Sequence, residues 1–374
     1  MSSSSPITAN QITIFEKQGF VDSYKSSNFG RAHQQGVIDQ TESVTGQNRG
    51  NTVSIWKTKI LTGQGVGSDT AIIGNEEALL DTNQSMTIDE FSHAVLNPTA
   101  LKSEYWSSNI PFEETAAKLL PGYLMSRKEA SLMQQAAGAY STTITVDGTT
   151  YSGNNRAFVT GFNTVTAPAT SRTVRAGGAA NDQSITSADT LTLSMINDAI
   201  EIANTTQPII QTLPGGVLNL YLSMKGYTQL LEDTNSPNQL FPIAIAETQG
   251  GDKNNKIIKG NGYAVDYNEP VARYRNVNIY ISHRVAKGLN SSTSAVITTV
   301  ERAVLCGANA LYYGSHFGSI AKGNVPFKMS AELQDYGRFK GMSITSLDGM
   351  VKNLFDPGSG STDAAIITLP HYAA

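Results

Sequence analysis

Apolar residues recur at helical spacing through one long central stretch: Phe112, Ala116, Leu119, Leu120, Tyr123, Leu124, Leu132, Met133 and Ala136. The spacing predicts a helix over 111–138, roughly 40 Å long at 1.5 Å per residue. Asn109 suits the N-cap, Glu113 and Glu114 favour the positive helix end, and Gly138 is a good stop. Pro121 falls inside the pattern, removes one hydrogen bond and predicts a kink near 117–120. A helix of this length reads as a spine.

The stretch before it changes period. Val53, Ile55 and Lys57 alternate with Ser54, Trp56 and Thr58, and Met86, Ile88 and Phe91 supply an approximate apolar side. These predict strands at 53–62 and 85–95, joined by a tip carrying Gly63, Gly65, Gly67 and Gly74-Asn75-Glu76-Glu77. Hairpins of compact domains close with far shorter loops. A two-sided, partly polar ribbon is weakly specified alone and gains register by lying on a neighbour, most simply another copy of the chain.

Residues 1–50 are polar, with scattered anchors Ile12, Ile14, Phe15, Phe20, Tyr24 and Phe29. Beyond a short helix near 10–18, their spacing sustains neither helix nor strand, so the segment reads as an arm that a partner surface orders. Residues 139–190 are rich in Thr, Ser, Gly, Ala and Asn and read as an inserted surface loop or small β-flap, with strands at 142–146 and 157–159. After Thr192, Leu193, Ile196, Ile200 and Ala203 share a helical face. Strands follow at 217–224 and 277–285, with a short helix at 225–232 between them and a turn-rich stretch at 235–269. A strand or helix follows at 300–313, and a closing strand at 364–369. Helices and strands interleave without regular βαβ units, which gives an α+β class.

Charged residues make up 16% of the 374, against about 25% in an average soluble domain. Neutral polar residues take their place, which suits a surface largely covered by partners, because interface cores are depleted in charge. The net charge of −4 provides no global basic field for wrapping nucleic acid. The single cysteine, Cys306, sits in an apolar run and reads as a buried thiol, so no intrachain disulfide framework exists. Residues 1–10 lack the pattern of a signal peptide, and no window approaches 18 uninterrupted apolar residues.

Candidate chemistry is sparse. The histidines His33, His93, His283, His316 and His371 form no metal-binding spacing, and no metal or other cofactor is expected. There is no phosphate-binding loop and no nucleophile elbow, and Gly260-Asn261-Gly262 is too short for a dinucleotide fingerprint. Glu76-Glu77 and Asp89-Glu90 are adjacent carboxylates, which point to opposite faces on a strand and so do not act as an acid/base unit. Asp335-Tyr336-Gly337-Arg338 reads as an exposed turn. No catalytic residue is expected.

Several motifs in order carry a resemblance: Gly74-Asn75-Glu76-Glu77-Ala78-Leu79, the run from Met86 to Val95, Pro111-Phe112-Glu113, the run from Glu301 to Ala310, Asp335-Tyr336-Gly337, and the run from Gly349 to Phe355. Together they resemble the tailed-phage major capsid proteins of the Hong Kong ninety-seven fold, and more narrowly the capsids of N-four-like podophages. The resemblance covers residues from about 50 to the end, apart from 139–190 and 242–262. It implies an N-terminal arm (1–50), an extended hairpin loop (51–100), a peripheral domain (101–191) built on the spine helix with the insert 139–190, an axial domain (192–300) and a return to the peripheral domain (301–374). It implies a structural protein that self-assembles into pentamers and hexamers of an icosahedral head around double-stranded DNA, located in the virion after assembly in the bacterial cytoplasm. The residues expected to touch neighbouring copies are Trp56, Gly74, Asn75, Glu76 and Glu77 on the hairpin and Phe15, Phe20 and Phe29 on the arm. Neighbouring capsomers, scaffold, portal and decoration proteins and passively held DNA are the partners expected, with no membrane. Some shells of this fold are joined by Lys–Asn isopeptide bonds between subunits, but nothing in the sequence specifies one for Lys57, Lys59 or Asn353. The alternatives are a β-rich hydrolase using carboxylates such as Glu76, Glu77 or Asp335, and a host-binding virion protein.

Overall fold

The structure, a computed structural model, describes residues 9–25, 27–40, 51–58, 61, 63–77, 81–97, 112–233, 241–242, 270–317, 320, 324–334, 339–355 and 361–374. The expected N-cap Asn109, Asp335 to Arg338, and Gly260 to Gly262 lie outside them, as does nearly all of 235–269.

Among the described residues there are five α-helices: α1 (Ala9–Lys25), α2 (Asn28–Gln34), α3 (Phe112–Ala137), α4 (Leu193–Thr205) and α5 (Met224–Glu232). The strands, numbered along the chain, fall into two main sheets and three ribbons. The first sheet holds β1 (Ile38–Gln40), β4 (Asp89–Asn97), β13 (Leu311–Ser315), β14 (Lys328–Gln334) and β15 (Phe339–Lys352). The second holds β7 (Leu218–Leu222), β8 (Phe241–Pro242), β9 (Ala272–Tyr274), β10 (Val277–Ile281), β11 (Lys287–Leu289), β12 (Val296–Cys306) and β18 (Ile366–Tyr372). The ribbons are β2 (Thr52–Thr58) with β3 (Asp81–Thr87), β5 (Thr143–Val146) with β6 (Thr149–Ser152), and β16 (Leu354–Phe355) with β17 (Thr362–Asp363). The expected α+β class holds.

The spine α3 runs through Pro121 and buries every residue from Arg127 to Ala137. Its stop at Gly138 is enforced: φ is +60°, and a Cβ there would sit 2.6 Å from the Thr166 carbonyl oxygen. The Ala139 N–H donates back to the Gln134 carbonyl at 3.1 Å, which satisfies a terminal acceptor.

The arm departs from expectation. Its described part folds on its own chain as α1, α2 and β1, and β1 pairs in parallel with β13, Ile38 opposite Leu311. Phe29 is fully buried against Tyr313, with ring centroids 5.1 Å apart, and Phe20 packs on Tyr24 and Phe327. The helical row Ile12, Glu16, Phe20, Tyr24 contains one polar residue, which hid its period. Glu16 faces inward because its carboxylate accepts the Met329 N–H at 2.6 Å on the edge strand β14.

The expected hairpin is also redrawn. β2 pairs with β3 from Thr52 opposite Thr87 to Thr58 opposite Asp81. The predicted second strand breaks at Ile88, whose N–H bonds the Asn51 carbonyl at 2.6 Å. Beyond it β4 joins β15 in the first sheet. The break lets Phe91 enter the core, where its ring meets Phe158 edge-on at 5.4 Å and Tyr123 at 6.1 Å.

The insert carries the small β-flap, β5 with β6, followed by short 3-10 turns, and is exposed or half-buried along most of its length but pinned by a few buried residues. Residues 157–159 belong to a 3-10 helix, Gly153–Val159, and Val159 is fully buried. Arg172, also fully buried, donates to the carbonyls of Ile202 at 3.3 Å, Thr206 at 3.0 Å and Pro208, closing the C-terminal end of α4. Two buried charges, Arg172 and Asp182, satisfy backbone groups that a Ser/Thr/Gly-rich chain leaves open.

Candidate functional site: a buried charge hub and a projecting loop

The middle of α3 carries three consecutive charges, Arg127, Lys128 and Glu129, each about 5% exposed or less. Consecutive helical positions point about 100° apart, so the three reach different parts of the molecule. The Arg127 guanidinium lies between the rings of Tyr123 and Tyr151, 4.8 and 5.0 Å from their centroids, and meets Asp147 of the β5–β6 turn at 3.5 Å. Lys128 pairs with Asp348 on β15 at 2.6 Å, donates to the Tyr313 hydroxyl at 2.5 Å and faces the Phe29 ring. Glu129 accepts from Asn28 of α2 at 2.9 Å, from Ser282 at 2.8 Å and from Arg284 at 3.1 Å.

The spine therefore ties the arm, the β5–β6 ribbon and both sheets together through one turn of helix. Burial lowers the Lys128 pKa, and the Asp348 charge opposes that shift. Arg302 does a related task at the spine's end: it pairs with Asp182 at 2.7 Å and donates to the Ala137 and Gly138 carbonyls. Lys352 and Asp363, both 1% exposed, form another buried pair at 2.6 Å.

The second feature is the loop carried by β2 and β3. Trp56 is 70% exposed on the ribbon's outer face, and every described residue from Leu61 to Glu77 is exposed, including Leu61, Ile72 and Ile73. At the tip, the Glu77 carboxylate accepts the Gly63 N–H at 2.6 Å and Glu76 accepts the Gly74 N–H at 2.7 Å. The two carboxylates tie down separate stretches of backbone and do not face each other across a pocket. Of the sequence-predicted contact residues, Trp56, Gly74, Asn75, Glu76 and Glu77 lie together on this projection. Phe20 and Phe29 are in the chain's own core, and Phe15 packs against it.

On its inner face the ribbon is fastened by Lys57, whose ammonium donates to Gln84 at 2.7 Å, Asn353 at 2.6 Å and the Leu354 carbonyl at 2.6 Å. Burial pushes its pKa down to about 8. Lys57 and Asn353 thus meet within one chain.

Among the described residues, no group of three or more His, Cys, Asp and Glu side chains is placed to hold a metal, and no helix is long and apolar enough to cross a membrane. A 440 Å³ cleft beside the β5–β6 turn has Asp147 as its one carboxylate, already held by Arg127, Arg284 and Ser126. A 610 Å³ groove beside α1 has only Glu16, committed to Met329. Neither offers the facing carboxylates a hydrolase needs. Cys306 is buried and its thiol is pushed up to about 12. Native protein should resist a thiol-specific reagent at pH 8 and react with one equivalent only after unfolding, measured by absorbance titration.

A family model for the phage capsid protein matches residues 8–218 and 261–374. This chain belongs to the phage capsid protein family. The match includes 139–190, which the motif resemblance left out. No curated protein matches the chain. Among solved structures, the capsid of Ralstonia phage GP4 is similar over 94% of this chain and 92% of its own, at 18% identity and a TM-score of 0.72. The capsid of cyanophage Pam1 is similar over 93% of both chains, at 17% identity and a TM-score of 0.62. The head of Helicobacter pylori bacteriophage KHP40 gives 15% identity and a TM-score of 0.57, over 93% of this chain and 91% of its own. The capsid protein has the Hong Kong ninety-seven fold. It is the major structural protein of an icosahedral phage capsid and a component of the virion.

Proposed function

We propose that the loop of residues 58–81 is the assembly contact of this capsid protein, and that it reaches the next subunit within and between pentamers and hexamers. One observation carries this reading: the loop exposes Leu61, Ile72 and Ile73, and the ribbon beneath it exposes Trp56, on a chain sparing of charge. Exposed apolar side chains gathered on a projection are what a neighbouring copy covers. Obligate interfaces of this kind bury upwards of about 2,000 Å² in total. In this reading the first sheet with α3 forms the peripheral domain and the second sheet the axial domain at the capsomer centre. The described part of the arm, α1, α2 and β1, acts as an integral part of the peripheral domain. The protein's work is mechanical, without catalysis. Scaffold, portal and decoration proteins and passively contacted double-stranded DNA are its further partners, and assembly occurs in the bacterial cytoplasm. The resemblance of the motif run supports reading the chain as akin to the N-four-like podophage capsids.

Shortening 63–77 to a four-residue turn tests the reading. The expected product is a soluble chain with unchanged circular dichroism that forms no closed shells in electron micrographs. Normal shells from that variant would show that the loop is not the assembly contact.

A further inference from the structure

The ribbon β2–β3 belongs to neither main sheet. Its inner face is apolar near the base, where Val53, Ile55 and Met86 pack on Val351 and Tyr312. Farther out that face turns polar at Gln84 and Lys57, just before the chain leaves the body. Gln84 behaves there like a strand residue: its amide donates to the Lys352 carbonyl at 2.6 Å and accepts the Leu354 N–H at 3.2 Å. The same oxygen accepts from Lys57. The seat is built in advance. Asn353 is held by its side-chain amide on the Asn309 carbonyl at 2.7 Å, by its N–H on the Ala310 carbonyl at 3.0 Å, and by the Ala364 N–H on its carbonyl at 3.1 Å. That leaves the Asn353 side-chain oxygen to receive Lys57. The Lys57 ammonium also lies 5.1 Å from the centre of the Tyr312 ring.

We propose that Lys57 and Gln84 form a polar clasp that fixes the direction in which the loop leaves the body, and that this fixed direction is what lets identical subunits close into shells of one size. The second half rests on the reading of the loop as the assembly contact, and the first half does not. Two considerations favour a positioning device over ordinary packing. The clasp holds the ribbon to the body just short of the loop, so it has a long lever over the tip. It also uses charge-assisted hydrogen bonds, which fix angle as well as distance, where an apolar contact would slide.

Lys57→Met keeps the stem over Tyr312 and removes the ammonium. Gln84→Met independently removes the strand-like bridge. In unassembled full-length chain, nitroxides at Ser68→Cys and Ser292→Cys report the loop's direction, and buried Cys306 stays unlabelled. Either clasp variant should raise the population of detached loop about tenfold, the loss expected for one charge-assisted hydrogen bond, with an unchanged thermal midpoint. Cryo-electron microscopy of the assembled variants should then show shells of several diameters and open sheets. An unchanged distance distribution in folded variants would overturn the clasp. A widened distribution with shells of uniform diameter would overturn its role in closure. The loop-shortening experiment fails or succeeds independently of both.

Discussion

An Asp348→Ala chain should lose about 3–5 kcal/mol of stability at pH 7, measured by denaturant unfolding of the unassembled protein. The carboxylate it lacks is the partner of Lys128, which is almost fully buried and 2.6 Å away. Removing one member of a buried pair leaves an uncompensated charge, and water cannot reach it. The pH dependence gives the mechanism away. Burial already holds the Lys128 pKa below its ordinary value, and Asp348 is the chief influence opposing the shift. Without Asp348 the native pKa falls further, while the unfolded value stays near 10.4. Between those two values the unfolded chain binds more protons than the native one, so stability rises with pH in that window. The variant should therefore recover part of its deficit on going from pH 7 to 10, and more of it than the wild type gains. A second change, Lys128→Met, should restore most of the loss, because an apolar pair of similar volume removes the stranded charge.

Phe29→Ala should cost about 3–5 kcal/mol, while Trp56→Ala leaves the unassembled chain's stability within about 0.5 kcal/mol of wild type and impairs shell formation. Both are aromatic residues in the first sixty positions, and the sequence offers both as contacts to neighbours. The structure separates them. Phe29 is fully buried between Tyr313 and Lys128, whereas Trp56 is 70% exposed. Denaturant midpoints and assembly yields, measured side by side, check the division of labour. Removing residues 1–30 should behave like Phe29→Ala and destabilise the chain itself.

Much of the fold was legible because burial imposes periodicity. The spine, α4, α5, β7 and β10 all follow apolar patterns, and Gly138 announced the spine's end. What escaped was written in polar residues. Glu16 interrupts the buried row of α1, and no single-residue pattern shows that its target is a backbone N–H more than 300 positions away. The hub escaped for the same reason, since Arg127-Lys128-Glu129 reads as a solvated turn of helix. One signal was present: the residues that follow, Ala130 to Ala137, have no charged face, so that part of the spine had to be surrounded and its nearest charges paired. The exposed tip was legible from length and glycine content, and the clasp beneath it was not, because Gln84 and Asn353 acquire meaning only from the strands that bring them together.

The pairing of the first sheet also sets a timetable. Ile38 finds its partner at Leu311, and β4 finds its partner in β15. A ribosome must translate as far as β13 and β15 before these early strands can be seated. Until then the loop has no rigid base, since Val351 and Asn353 beneath it are made long after β2 and β3. On the proposed reading of the loop as the assembly contact, nascent chains crowded on one messenger lack the loop's seat until β15 has emerged, which holds back premature joining.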